Sequence, residues 1–334
     1  MDKISQNQDH PVPEKVRFIV GIGPQLGVSL TVRELMFGVL LALVPALAFS
    51  IYLFGPAALN LYLVCGGTAL AAEFAGQRLL GKPVRIGDGS ALLTGILLAM
   101  CLPPAFPLWM AGLGAAFAIA AGKLIFGGLG SNIFNPALIG RAFLSATFPN
   151  QMTAWVAPFY YQKAAATAVT SATPLGAAKF SHVYASYHDL FFGFTGGSLG
   201  ETSAFLLLLG GLFILARGYA DWRPTAAYLL STFVLSACFN LAAPDRFPPP
   251  LFHLLSGRLV LGAFFMVTDP VTTPVHRKGR WIFGIGCGVF TVIIRLFGGM
   301  PEGVAYSILF MNALSPLINL GTRPRPFGSQ GAQK

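Results

Sequence analysis

The chain has 334 residues, of which 54% are hydrophobic and only 10% charged, with a mean hydropathy of +0.67. Those values exclude a water-soluble or disordered chain and describe a polytopic membrane protein. The formal net charge of +10 does not indicate nucleic acid, because the basic residues are sorted by side of the membrane instead of clustered on one face.

In chain order, residues 1–33 read as a polar tail. This is not a cleavable signal, because Asp2, Asp9 and Glu14 dilute its charge and the first long apolar run begins only after Arg33-Glu34. Runs of about 20 apolar residues, enough for a hydrocarbon core of about 30 Å, follow at 34–54, 57–77, 105–125, 200–216, 223–243, 280–298 and 302–320. Shorter apolar pieces lie at 90–102, 132–148 and 256–268. The predicted fold is therefore an all-α polytopic membrane protein of ten segments. It divides into a first membrane repeat over 34–149, a loop over 150–199, a second repeat over 200–320 and a tail over 321–334.

With the N-terminus in the cytoplasm, only Lys163, Lys179, Arg246 and Arg258 of the 22 basic residues fall outside, and Arg141 and Arg295 fall within segments. The other sixteen, Lys123 among them, are inside. Both termini are expected in the cytoplasm and the 150–199 loop on the external face.

The two halves echo each other. Ser90 to Met100 runs into Cys101-Leu102-Pro103-Pro104, and after a span comes Ile125-Phe126-Gly127-Gly128. Gly257 to Met266 runs into Val267-Thr268-Asp269-Pro270, and after a span comes Leu296-Phe297-Gly298-Gly299. Gly95 matches Gly262 and Pro103 matches Pro270. Each half thus holds an apolar segment too short to cross, stopped by a residue that cannot continue a helix. Five segments per repeat make the repeats inverted, and paired broken helices point to a site built from half-helix ends. The competing reading is kinked helices packed by their glycines.

Ionisable residues inside apolar segments are expensive and are functional candidates. Glu73, Asp269 and Glu302 are ion-path candidates, with snorkelling or an ion pair to Arg78 as the plain alternative for Glu73. Arg141 is a candidate for holding a phosphate or for pairing with one of these acids. Cys65, Cys101, Cys238 and Cys287 sit singly in different segments and read as buried thiols. No metal-ligand spacing is present, and the histidines have none. Gly284, Gly286 and Gly288 read as close helix packing, since they lie inside a span.

The loop carries Thr170-Ser171-Ala172-Thr173-Pro174-Leu175, which by itself is a turn opened by Pro174. Three further stretches give it meaning: Gly127 to Phe143 with Ser131-Asn132-Ile133-Phe134-Asn135-Pro136, Phe265 to Pro274, and Arg295 to Gly303. With Asp88-Gly89-Ser90 they resemble the D subunit of the Rnf electron-transport complex, in a family shared with the B subunit of the sodium-pumping NADH:quinone oxidoreductase. Gln151-Met152-Thr153-Ala154-Trp155 and the start of the first span at residue 34 are similar to the Rnf branch.

The resemblance implies a membrane flavoprotein subunit with no catalytic residue of its own, carrying FMN through a phosphoester on Thr173 and passing electrons coupled to Na+ or H+ movement. It also implies a second, non-covalent flavin such as riboflavin, and a bacterial inner-membrane location. The partners implied are an external flavoprotein subunit and iron-sulfur subunits of the complex, a flavin transferase and membrane lipid. Where the fuller motif commonly has an acid six positions before the modified threonine, this chain has Thr167. A secondary transporter with inverted repeats is the alternative from another class.

Overall fold

The computed structural model describes residues 30–162, 172–201 and 203–324. Lys163, Thr167, Thr170, Ser171 and nearly all of both terminal tails lie outside them. Among the described residues every regular element is helical.

Helix α1 (Val32–Phe54) turns directly into α2 (Pro56–Leu79). Gly55 makes that turn at φ 66°, a conformation cheap only for glycine, and Pro56 supplies a helix-ready φ at the first helical position. After α3 (Ser90–Met100), residues 101–107 stay non-helical, since Pro103, Pro104 and Pro107 remove donors. Helix α4 (Leu108–Ile119) ends in a π turn over Ala120–Leu124. Then follow α5 (Pro136–Thr147), α6 (Pro149–Met152), α7 (Pro174–Ser181) and α8 (Tyr187–Phe192). The second half has α9 (Ala204–Ala216), α10 (Trp222–Ala242), α11 (Pro250–Leu255), α12 (Leu259–Leu261) with a π turn over Gly262–Met266, α13 (Arg277–Phe297) and α14 (Val304–Thr322).

Among the described residues five helices, α1, α2, α10, α13 and α14, are long and apolar enough to cross a membrane. Two of the seven expected full-length runs fall short. The 105–125 run starts its helix only at Leu108, after Pro107. The 200–216 run gives its first residues to a 3-10 turn at Leu199–Glu201 and an N-cap at Ser203, leaving α9 with 13 residues, about 20 Å at 1.5 Å per residue.

Helix α2 packs along α3 and α4, α13 packs along α10 and α14, and the contacts of α1 with α9 and of α5 with α14 join the repeats. Glycine sets the closest approaches. A Cβ at Gly95 would stand 2.5 Å from the carbonyl oxygen of Cys65, and one at Gly284 would stand 2.5 Å from that of Pro224. The glycines of α13 are thus packing devices, as expected. Cys65, Cys101 and Cys287 are buried, but Cys238 is exposed. An apolar segment does not imply a buried residue here, because the outer face of α10 also exposes Leu230, Phe233, Val234 and Leu241.

Candidate functional site

Helix α3 ends inside the protein, so its last carbonyls need partners from elsewhere. The carbonyl oxygen of Cys101 accepts from Arg141 Nη1 at 3.3 Å and from Arg258 Nη1 at 3.0 Å. Cations suit this end of a helix, where the dipole is negative. Two guanidiniums in a dry site also need counter-charge, because each unpaired buried ion costs several kcal/mol. Glu302 Oε2 accepts from Arg141 Nη2 at 2.7 Å and also pairs with Arg258, while Glu201 Oε1 lies 3.4 Å from Arg258 Nη1.

The quartet of two arginines and two glutamates joins α5, the start of α12, the turn before α9 and the loop before α14. Gly200 brings Glu201 there, since a Cβ on it would stand 2.8 Å from both the Met100 carbonyl oxygen and Leu261 Cδ2, at the tips of the two half-helices.

The sequence leaves Arg141 either to hold a phosphate or to pair with one of Glu73, Asp269 and Glu302, and the structure sets it against Glu302; Arg258 is assigned to the outside. The structure corrects this: Arg258 is 2% exposed and caps α12. The signal was present, because matching Gly95 to Gly262 places Arg258 at the start of the second half-helix. Nothing in the sequence marked Glu201.

Thr173 stands above this quartet. It is the N-cap of α7, its Oγ1 accepts from the Gly176 amide at 3.1 Å, and Pro174 takes the first helical position. Asn135 and Pro136 start α5 by the same device, so the Thr-Pro pair has a local reason in helix capping. A cavity of about 120 Å³ is lined by Thr173, Arg141, Glu201, Glu302 and Trp155. Arg141 Nε and Glu302 Oε1 have no hydrogen-bond partner among the described residues.

A second buried cluster lies within the first repeat. Glu73 Oε1 accepts from Lys123 Nζ at 2.6 Å and from Gln77 Nε2 at 3.0 Å, and Lys123 also donates to Ser90 Oγ at 2.6 Å. Glu73 therefore pairs with Lys123 and not with Arg78, whose guanidinium lies over the Phe74 ring. Lys123 is not a solvated inside charge either: the π turn at the end of α4 turns it inward to 1% exposure.

Asp269 Oδ1 accepts from the Val271 amide at 3.1 Å, holding the turn after the second half-helix. It lines an apolar cavity of about 70 Å³ together with Lys123, Ser90, Thr268 and Asn135. The three acid candidates are therefore not brought together. Glu73 is locked in a pair, Asp269 faces one cavity and Glu302 another. Among the described residues no group of three metal-type ligands occurs.

Comparison with known proteins places these residues in context. The model of the NQR2, RnfD, RnfE family matches residues 19–328. The chain is 42% identical over 323 residues to the D subunit of the proton-translocating ferredoxin:NAD(+) oxidoreductase complex of Clostridium ljungdahlii, covering 94% of this chain and 97% of the relative. It is 43% identical over 318 residues to the D subunit of the Na(+)-translocating ferredoxin:NAD(+) oxidoreductase complex of Acetobacterium woodii, covering 94% and 96%. It is 43% identical over 333 residues to the D subunit of the ion-translocating oxidoreductase complex of Stutzerimonas stutzeri, covering 91% and 94%.

Proposed function

The chain belongs to the NQR2, RnfD, RnfE family, and from that premise we propose that it is the FMN-bearing membrane subunit of an ion-translocating ferredoxin:NAD oxidoreductase. Thr173 is the tether. The observation that carries this reading is the placement of Thr173 Oγ1 at the head of α7, on the wall of a cavity that Arg141 also lines.

A phosphoester on that oxygen would put a phosphate where the first amides of α7 point, a position that favours anions. The Arg141 guanidinium would face the same phosphate. The cavity of about 120 Å³ is smaller than the roughly 150 Å³ that encloses one benzene ring. It suits a phosphate and the start of the ribityl chain, with the isoalloxazine ring outside, within reach of a partner subunit. FMN supplies the one- and two-electron chemistry when bound. The residues of this chain tether the phosphate, orient it and offset its charge.

Electrons then pass between external and iron-sulfur partner subunits, coupled to movement of Na+ or H+. Similarity does not choose the ion, since one relative at 42% identity is named for protons and another at 43% for sodium. The chain resides in the bacterial inner membrane with both termini cytoplasmic, Thr173 external and accessible to a flavin transferase. The other implied group, a non-covalent riboflavin, has no residue assigned to it.

The test is Thr173→Ala, co-expressed with the transferase. Loss of the N-cap costs about 1 kcal/mol, so the protein should still accumulate, but it should lose the ultraviolet fluorescence of covalent flavin after denaturing electrophoresis. Retained fluorescence, or an FMN-sized mass on another residue of the wild-type loop, would overturn the assignment. Orientation is checked separately: a cysteine at exposed His182 should react with an impermeant reagent from the periplasm, and one at Lys278 only after permeabilisation.

A further inference from the structure

A second external cavity, of about 300 Å³, lies beside the Thr173 cavity and shares Leu175 and Pro301 with it. Lys179, His182, Arg246, His253 and Arg295 line it, and none of its lining residues is acidic. Arg295 is 3% exposed and donates to the carbonyl oxygens of His253 at 2.6 Å and Ser256 at 3.1 Å, while its Nε has no hydrogen-bond partner among the described residues. His253 is 2% exposed, and neither of its ring nitrogens has a partner among the described residues. Arg246 is exposed at the rim and forms no ion pair among the described residues. Lys179 commits its ammonium to the Arg295, Gly298 and Met300 carbonyls at the end of α13, and so adds charge more than a free donor.

A buried polar group without a partner is costly. Here the unpartnered groups are an imidazole and one edge of a guanidinium, both on the wall of a cavity none of whose lining residues is acidic. The complement is an anion that can accept several hydrogen bonds at once.

We propose that this cavity binds a phosphate group, through the Arg295 Nε edge, the His253 ring and the Arg246 guanidinium. A phosphate presents several acceptor oxygens on one anion, so it can meet a buried guanidinium edge, an imidazole and an exposed guanidinium that line the same cavity. The apolar part of the wall, Phe180, Phe247 and Phe252, with Phe180 68% exposed, suits an acyl chain if the phosphate belongs to a phospholipid headgroup. Free inorganic phosphate would use the same donors without the rings. The site stands apart from the flavin tether, because Thr173 is not part of it.

The experiment uses the full-length chain carrying Thr173→Ala, so that no flavin phosphate is counted. In micelles of an alkyl maltoside, a detergent without phosphate, binding of inorganic phosphate is titrated by calorimetry. In nanodiscs containing phosphatidylglycerol, lipid retained on the chain is read by native mass spectrometry. One phosphate group per chain is expected in at least one arm. Binding in the first arm identifies free phosphate, and retention of phosphatidylglycerol alone identifies a headgroup. Arg246→Glu, at an exposed position, should weaken that binding about tenfold or more, as expected for a lost charge-assisted contact. His253→Phe, which keeps the ring volume, should weaken it as well. No binding in either arm, or wild-type affinity in both variants, overturns the proposal.

Discussion

The two repeats place a base at nearly the same position, and they treat it differently. Lys123 comes two residues before Ile125-Phe126-Gly127-Gly128, and Arg295 comes immediately before Leu296-Phe297-Gly298-Gly299. Each reaches back toward the start of the half-helix in its own repeat. Lys123 meets a carboxylate, Glu73, at 2.6 Å and the Ser90 hydroxyl. Among the described residues Arg295 donates to the carbonyls of His253 and Ser256 and forms no ion pair, although the charge of Glu201 acts on it from farther off. The first repeat thus pairs its cation directly with a carboxylate, whereas the second leaves its cation without a direct ion pair on the wall of an open cavity. Structural likeness between repeats does not carry function with it. The electrostatic difference assigns the first position to holding helices together and the second to meeting an anion.

The sharpest way to break the comparison is Lys123→Met. It strands Glu73 at 1% exposure, and removing one partner of a buried pair costs about 3–5 kcal/mol. The folded yield in detergent should collapse. Adding Glu73→Leu should restore much of it, because an apolar pair in place of a buried ion pair is often neutral or better. Thermal unfolding of the single and double variants checks both statements. A double variant no better than the single would show that Lys123 acts through packing alone.

Glu302→Gln is expected next in size. It leaves Arg258 with Glu201 and Arg141 without a carboxylate among the described residues, so stability should fall by about 2–4 kcal/mol while Thr173, outside the quartet, stays open to flavinylation. If Glu302 also serves an ion path, vesicles with normal levels of the protein should move fewer ions per electron. An unchanged ratio would confine it to pairing the arginines.

Arg295→Leu should cost less than Lys123→Met, because it strands no opposite charge. It removes two hydrogen bonds from a charged donor, each about 1.5–3 kcal/mol, and relieves the desolvation of the guanidinium. Equal losses for Arg295→Leu and Lys123→Met would erase the proposed difference between the repeats.

What the sequence made legible follows the range of the interactions involved. The apolar runs and the proline-stopped half-helices are local patterns, and the structure has them, whereas Thr173-Pro174, read as a turn, proves to be the start of α7. The Arg141–Glu302 pair was accessible because ionisable groups in apolar segments must find partners. Lys123 was misassigned because its position depends on a π turn, for which composition gives no sign, and because Glu73 is 50 residues away. The short α9 went unseen because the run at 200–216 is apolar throughout its second half, and only Ser203, an N-cap residue, marked where the helix begins. Arg258 was legible through the repeat, once the match of Gly95 to Gly262 was carried four residues back.

The smallest expected effect supplies a surface reference for the buried pairs. Asp221 N-caps α10, accepting from the Arg223 amide at 2.8 Å and pairing with the side chains of Arg223 and Arg280. Partial burial pushes its carboxyl up, but the Arg223 amide and the Arg280 and Arg223 guanidiniums outweigh this and hold it below the ordinary carboxylate value. A carboxyl whose folded value is depressed contributes stability that is fully present above its unfolded value, about 3.9, and is lost as pH falls through the folded value. Stability from this clasp should therefore be flat across pH 5–8 and decline only in stronger acid. Its side chains are 16–31% exposed, so the ion pairs should be worth about 0–1 kcal/mol, and the cap is partly kept by asparagine. Asp221→Asn should thus lower stability by less than about 1 kcal/mol and remove the acid-side decline that this residue contributes. An effect rivalling that of Lys123→Met would mean that burial does not set the ranking of these ion pairs, and with it the contrast between the two repeats would lose its physical basis.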